Sequence, residues 1–164
     1  MKQRIAVLVL LGMLPWAGSD AQTTPATTTF KVTTSVQAVC EVTATDLAFG
    51  AYTAQTATPL QGQTVLRATC TPGSTYNVGL NEGTGGGTIT GGRQMASAGG
   101  QKLTYQLYRD AARQQIWGNT PGTDTETGVG TGVAQDRTVF GAVPAAQVVP
   151  AGDYTDTVTI RVYY

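Results

Sequence analysis

Two cysteines are the residues whose chemistry the sequence makes most distinct. Cys40 and Cys70 are the only cysteines among 164 residues, and no CxxC spacing is present. Two thiolates alone do not complete a zinc site, which takes four ligands in structural proteins. In an oxidising compartment, two cysteines are expected to form one disulfide, which stabilises a fold by roughly 3 to 4 kcal/mol for a loop of this length. The sequence therefore predicts a Cys40–Cys70 disulfide and no redox or metal site at these residues.

Histidine is absent, so the commonest general base and metal ligand is missing and a Ser-His or Cys-His nucleophile is impossible. The glycine runs at 83–87 and 128–132 match neither GxGxxG nor the phosphate-binding loop. The carboxylates lie mostly in turns or beside Thr and Gly, where solvation is the default, although a pair brought together by the fold is still compatible with glycoside cleavage. We expect no enzyme, no catalytic residue and no cofactor.

Three carboxylates, Asp124, Glu126 and Asp136, lie in or beside the Thr- and Gly-rich region 119–135 and offer oxygen ligands to calcium. An EF-hand spacing is absent, and a solvated loop with no metal is the preferred interpretation.

The overall composition excludes two further classes of protein. Only 12% of residues are charged, against roughly 25% in a typical soluble domain, and Thr with 21 Gly takes their place. An apolar fraction of 41% excludes a disordered chain. Zero net charge without a Lys/Arg cluster argues against nucleic acid as a partner, because phosphate neutralisation supplies most of that affinity.

Residues 1–21 have the pattern of a secretory signal peptide. Lys2 and Arg4 precede a short apolar run, and Ser19 and Ala21 supply small residues before a cleavage site after Ala21. The apolar run of about a dozen residues is too short to cross a bilayer of ~30 Å, which disfavours the alternative of a membrane anchor. Removing the segment leaves eight basic and nine acidic residues, a formal charge of −1.

The remaining sequence alternates apolar and polar residues in short runs, which is the period of half-buried strands. The predicted strands are 30–38, 47–52, 64–70, 76–80, 102–109, 137–143 and 154–164. A helical turn or a loop is expected at 110–115. Gly and Pro separate the runs, so the sequence predicts an all-β, antiparallel sandwich of Ig-like size.

The two ends of this region have complementary features. In the last predicted strand, Tyr154, Asp156, Val158, Ile160, Val162 and Tyr164 share one face, and no later segment is available to pair with it. Before Phe30, a polar Thr-rich tail begins at Gln22. Either this domain lends a strand to a neighbour, or the tail is disordered and the sheet has an ordinary edge.

Four stretches, taken in order, resemble the spore coat protein U domain, the subunit type of archaic chaperone-usher pili. They read VQAVCEVTATDLAFG at 36–50; ATC at 68–70 with YNVGL at 76–80; LTYQLYRDAAR at 103–113 with WG at 117–118; and VFG at 139–141 with PAGDYTDTV at 150–158. The resemblance covers nearly the whole chain after residue 21.

The resemblance implies an incomplete Ig-like fold that lacks its last strand and is completed by donor-strand exchange. Its cysteines on the first two strands match Cys40 and Cys70. It further implies export through the periplasm of a Gram-negative bacterium, a periplasmic chaperone, an outer-membrane usher and neighbouring pilus subunits as partners, and surface pili for adhesion and biofilm formation. The domain is then 22–164, with an N-terminal donor extension of about 22–34.

The donor face is predicted at Thr28, Phe30, Val32 and Thr34, although Pro25 cannot donate to a ladder and the register is open. The acceptor groove is predicted at Val158, Ile160, Val162 and Tyr164, residues that ordinary core packing also explains. The alternative function is a secreted monomeric Ig-like coat or carbohydrate-binding protein that uses exposed Tyr residues and Trp117.

Overall fold

The computed structural model describes residues 24–54 and 57–164. The predicted signal peptide at 1–21 lies outside these residues and stays a prediction. Within the described parts of the chain, no helix is long and apolar enough to cross a membrane. The described residues up to Ser35 are grouped apart from a larger compact unit, Val36–Tyr164.

In the described residues of the larger unit, every regular element is a strand. In chain order they are β1 Cys40–Ala44, β2 Leu60–Cys70, β3 Thr75–Leu80, β4 Arg93–Ala96, β5 Lys102–Tyr108, β6 Glu126–Val129, β7 Gln135–Val143 and β8 Ile160–Tyr163. One sheet has the order β1-β2-β7-β5-β4 and the other has the order β6-β3-β8, with every pairing antiparallel. The predicted all-β, antiparallel Ig-like sandwich is confirmed.

The core lies between the inward faces of the two sheets. Alternate residues of the long strands are buried, as the period of two requires: Leu66, Ala68 and Cys70 on β2, Tyr76, Val78 and Leu80 on β3, and Leu103, Tyr105 and Leu107 on β5. β1 and β2 are joined by the predicted disulfide, because Cys40 and Cys70 are directly paired residues of the two strands and are bonded to each other.

Four predicted strands, at 64–70, 76–80, 102–109 and 137–143, correspond to β2, β3, β5 and β7. The prediction of a strand at 30–38 is wrong, because no strand is assigned from Thr24 to Val39 and its apolar side chains are exposed. The strand predicted at 154–164 is restricted to β8, although its alternation is correct over 154–162. β6 lies within the region that the sequence assigns to a loop.

The prediction of a strand at 47–52 is also wrong, and its physical reason is visible in the packing. Gly62 and Gly141 are cross-strand partners on β2 and β7, and together they leave a hollow on the sheet. Leu47 and Phe49 fill that hollow, with Phe49 carbons lying where the Cβ of either glycine would be close. The segment therefore uses its alternation to pack side chains onto a sheet rather than to pair its backbone.

The segment 110–115 is a turn rather than a helix. The Asp110 carboxylate accepts the backbone N–H groups of Gln114 at 3.0 Å and Gln115 at 2.7 Å. These bonds hold the pKa of Asp110 below its usual range.

Residues 24–35 form no regular secondary structure, and all of them are exposed. Phe30 is 86% exposed and Val32 is 81% exposed. Two large apolar side chains, two positions apart, are thus left in water, and burial of their apolar surface would be favourable.

Candidate functional site

An apolar groove of about 440 Å³ opens beside the edges of the two sheets. β1 is an edge strand of the five-stranded sheet, β8 is an edge strand of the three-stranded sheet, and the two edges contact each other. The groove begins where β1 ends and where β8 has not yet begun, between segments 44–49 and 154–160. Its floor is formed by Leu66, Leu80, Leu107 and Val139.

The first wall continues from β1. Thr45 still bonds to β2, because its N–H donates to the Val65 carbonyl at 3.2 Å. Leu47 and Phe49 then turn onto the glycine pair, and the ring of Phe49 meets the ring of Tyr105 edge to face at 6.0 Å between centroids. This wall is therefore apolar at its base, while Asp46 is exposed at its rim.

The second wall is the segment 154–159, which leads into β8. Its even-numbered residues are half-buried and its odd-numbered residues are exposed, as the sequence predicts for this face. One isolated bridge ties it to β4, in which the Ala96 N–H donates to the Thr155 carbonyl at 2.8 Å and the reverse bond is 3.0 Å. Beyond that bridge, the Asn81 side chain accepts the N–H of Thr159 at 2.7 Å, and one further side chain holds the wall through several bonds.

Asp156 is that side chain. Its Oδ1 accepts the backbone N–H groups of Thr84 at 2.7 Å, Gly85 at 2.8 Å and Thr157 at 2.7 Å. Its Oδ2 accepts the hydroxyl of Tyr105 at 2.7 Å. The carboxylate thus joins the second wall to the loop at 83–85 and to β5.

Tyr105 is the buried side of this contact. Burial raises the pKa of its phenol well above the ordinary value, and the hydrogen bond to Asp156 raises it further, because ionisation would set two negative charges against each other. The phenol is therefore a proton donor at any physiological pH. This geometry positions a wall of the groove.

A second buried polar group supports the floor from below. Arg93 is 0% exposed, and its guanidinium donates to the carbonyls of Leu80 at 2.9 Å, Asn81 at 2.7 Å and Trp117 at 2.7 Å. Burial lowers the pKa of Arg93. Because Leu80 ends β3 and lines the groove, Arg93 fixes one part of the floor.

The predicted acceptor residues are only partly brought together. Val158 and Ile160 line the groove. Val162 packs against the core, opposite Val78 on β3, and does not line the groove. Tyr164 lies beyond the end of β8 and is 61% exposed. The predicted donor residues Thr28, Phe30, Val32 and Thr34 are all exposed.

The prediction that Trp117 is an exposed sugar-binding residue is wrong. Trp117 is 0% exposed, and its indole Nε1 donates to the Val78 carbonyl at 2.8 Å. The indole is thus part of the core, which residue type alone does not reveal.

The three carboxylates considered as calcium ligands each contact a different group. Asp124 accepts the N–H of Thr120 at 2.7 Å, Glu126 lies 3.9 Å from Arg109, and Asp136 pairs with Arg67 at 2.6 Å. Among the described residues, no group of three potential ligands is placed to hold a metal ion.

Several residues line the groove without having been predicted there, above all Asp46, Leu47, Phe49 and Tyr105. The paired glycines in two long strands are the signal that could have found Leu47 and Phe49, because a glycine inside a strand often marks a close approach of other atoms. Asp156 lies on the face that the alternation predicts, whereas the sequence carries no signal for its role as a hydrogen-bond acceptor.

An antiparallel Ig-like sandwich with an apolar groove between two segments that lack a full partner strand has the architecture of a domain that can accept an added strand. The chain belongs to the Spore Coat Protein U domain family, whose model matches residues 26–161. The resemblance inferred from the sequence is thereby confirmed.

Two relatives agree with this assignment. "Protein U" of Myxococcus xanthus is 39% identical over 72 residues, which are 44% of this chain and 40% of that protein. The crystal structure of the CsuC–CsuE chaperone–tip adhesion subunit pre-assembly complex, from archaic chaperone-usher Csu pili of Acinetobacter baumannii, matches with a TM-score of 0.54 and 25% identity. That match covers 79% of this chain and 40% of the solved chain. The chain thus spans about two fifths of the length of both.

A more distant match is the E. coli Hda pilus minor tip subunit, HdaB, at 16% identity and a TM-score of 0.40, covering 74% of this chain and 79% of that one.

Proposed function

We propose that the chain is a structural subunit of an archaic chaperone-usher pilus that polymerises by donor-strand complementation. The segment of about 22–34 from one subunit would enter the groove between segments 44–49 and 154–160 of the next. The observation that carries this proposal is the pairing of an open apolar groove with an exposed segment that bears Phe30 and Val32 two positions apart.

The physical gain comes from two sources. An added strand satisfies backbone groups of the wall segments 45–49 and 154–159, which lack a full partner strand, while alternate side chains enter the groove. Burying Phe30 and Val32 contributes about 1.5 to 3 kcal/mol each, before the cost of ordering the segment is subtracted. Thr28 and Thr34 lie on the same predicted face and would flank Phe30 and Val32.

An unfilled groove is an aggregation hazard, which supports a partner that covers it before assembly. The solved Csu structure is a pre-assembly complex of a chaperone with a tip adhesion subunit. We therefore include a periplasmic chaperone among the partners of this chain, with an outer-membrane usher and neighbouring subunits after it. On this proposal the chain is exported and reaches the cell surface, where the fibre serves adhesion and biofilm formation.

The test removes the donor segment and leaves the groove. A variant that lacks residues 22–29 and carries Phe30→Asp and Val32→Asp should form no SDS-resistant multimers while still binding the chaperone. The matched control is Val148→Asp, because Val148 is 93% exposed and lies outside the groove, and it should polymerise normally. A wild-type chain that purifies as a stable monomer without chaperone or added peptide would contradict the proposal.

A further inference from the structure

The groove and the segment proposed to fill it carry opposite charges. Lys31 is the only charged residue between Gln22 and Val39. The two charged side chains that line the groove, Asp46 and Asp156, are both acidic. Attraction between the two surfaces therefore does not depend on the exact register of the donor.

Only one of the two carboxylates is available to a partner. Both oxygens of Asp156 accept hydrogen bonds from its own chain. Asp46 is exposed at the rim, and within the described residues it has no hydrogen bond or ion pair. An incoming cation would therefore meet Asp46 without displacing a bond of the fold.

The alternation of the donor directs Lys31 to the same place. Side chains of neighbouring residues in an extended strand point to opposite faces. When Phe30 and Val32 face the groove floor, Lys31 faces outward, toward solvent. Asp46 stands on the solvent side of Leu47, whose side chain is turned inward onto the glycine pair.

We propose that Lys31 of a second copy of this chain pairs with Asp46 at the groove rim, and that this pair makes the groove select its own kind of donor. The proposal rests on the proposed function above and names the occupant of the same groove. Because an exposed ion pair changes encounter rate and partner choice more than affinity, its effect belongs in the kinetics of assembly.

The test exchanges the two charges. Full exported chains carrying Lys31→Glu, Asp46→Lys or both changes are refolded from denaturant at low salt, and the growth of SDS-resistant multimers is followed. Each single variant brings like charges together and should assemble about 3- to 10-fold more slowly than wild type. The double variant should recover the wild-type rate.

A mixture of the two single variants, Lys31→Glu and Asp46→Lys, gives the most specific test of the pairing. In an alternating fibre, one kind of junction joins the native Lys31 to the native Asp46, and the other kind joins the two substituted side chains, which again have opposite charges. Because about half of the encounters join unlike variants, the mixture should assemble at no less than about half the wild-type rate although each component alone is slower. The differences should disappear at about 1 M salt, where the screening length is ~3 Å. Asp153→Lys, an exposed site outside the groove, is the control and should assemble like wild type.

Single variants that assemble at the wild-type rate at low salt, or a mixture as slow as its components, would overturn the pairing while leaving the proposed function intact. A wild-type chain that forms only SDS-resistant monomers would show its own segment in its own groove, and would overturn both the second copy as occupant and the proposed function. A wild-type chain that forms no SDS-resistant species would overturn the proposed function itself.

Discussion

Removing the carboxylate of Asp156 should destabilise one wall of the groove, the segment 154–159. In Asp156→Ala, the N–H groups of Thr84, Gly85 and Thr157 and the hydroxyl of Tyr105 all lose their acceptor. The loss is specific to this side chain, because the bridge between Ala96 and Thr155 is a backbone contact and remains.

The magnitude follows from where these donors lie. Thr84 and Thr157 are exposed, so water replaces the carboxylate at little cost. The amide of Gly85 and the phenol of Tyr105 are part-buried, and each unsatisfied group costs about 1 to 3 kcal/mol. We therefore expect Asp156→Ala to lower the free energy of unfolding by about 2 to 6 kcal/mol.

Urea unfolding followed by the fluorescence of Trp117 measures this loss, since Trp117 is buried and is the only tryptophan after residue 21. The variant is made together with Phe30→Asp and Val32→Asp, so that multimers do not obscure the transition. With a slope of about 2 kcal/mol per molar urea, the midpoint should fall by about 1 to 3 M.

Asp153→Ala is the matched control, because Asp153 is an exposed carboxylate three positions earlier, and its removal should change stability by less than about 0.5 kcal/mol. If Asp156→Ala and Asp153→Ala shift the midpoint equally, the Asp156 carboxylate does not hold the second wall, and the reasoning from its hydrogen bonds is refuted.

Three further predictions address the rest of the site. Gly141→Val should cost about 1 to 3 kcal/mol in thermal unfolding, with Gly99→Ala as a neutral control, because even a Cβ at 141 would lie 2.7 Å from atoms of Leu47 and Phe49. The free energy of unfolding should fall as pH rises above 10.0, because the Tyr105 phenol ionises there in the unfolded chain, while in the folded chain its pKa is raised and it stays protonated. In urea titrations, the free energy of unfolding of Tyr105→Phe should depend less steeply on pH in this range. Replacing Cys40 and Cys70 with Ser should lower the free energy of unfolding by about 3 to 4 kcal/mol, and a chain whose stability is unchanged by reduction would contradict the role given to this disulfide.

The sequence predicted the sandwich because its long strands, β2, β3, β5 and β7, alternate strictly and bury one face. The strand prediction was wrong where alternating side chains pack against a sheet but the backbone does not pair with a strand. Residues 47–52 and 154–159 have the strand period, yet they form the walls of the groove, since their inward side chains meet a sheet while their backbones lack a full partner strand.

The polar part of the site could not be predicted for a different reason. Arg93, Tyr105 and Asp156 are separated in sequence and are joined only by the folded chain through bonds to loop amides and carbonyls. Composition and periodicity carry no information about such contacts. Trp117 is a second example, because residue type alone suggests that it is exposed for binding. In the structure its side chain is fully buried.

The separation of the two groove walls in sequence also affects the order in which the groove forms during folding. Segments 44–49 and 154–160 are roughly a hundred residues apart, and contacts at such separation form late in folding because the intervening chain must first be ordered. A nascent chain that has emerged only as far as β7 has a floor without a second wall. The groove therefore becomes complete only after nearly all of the domain has folded.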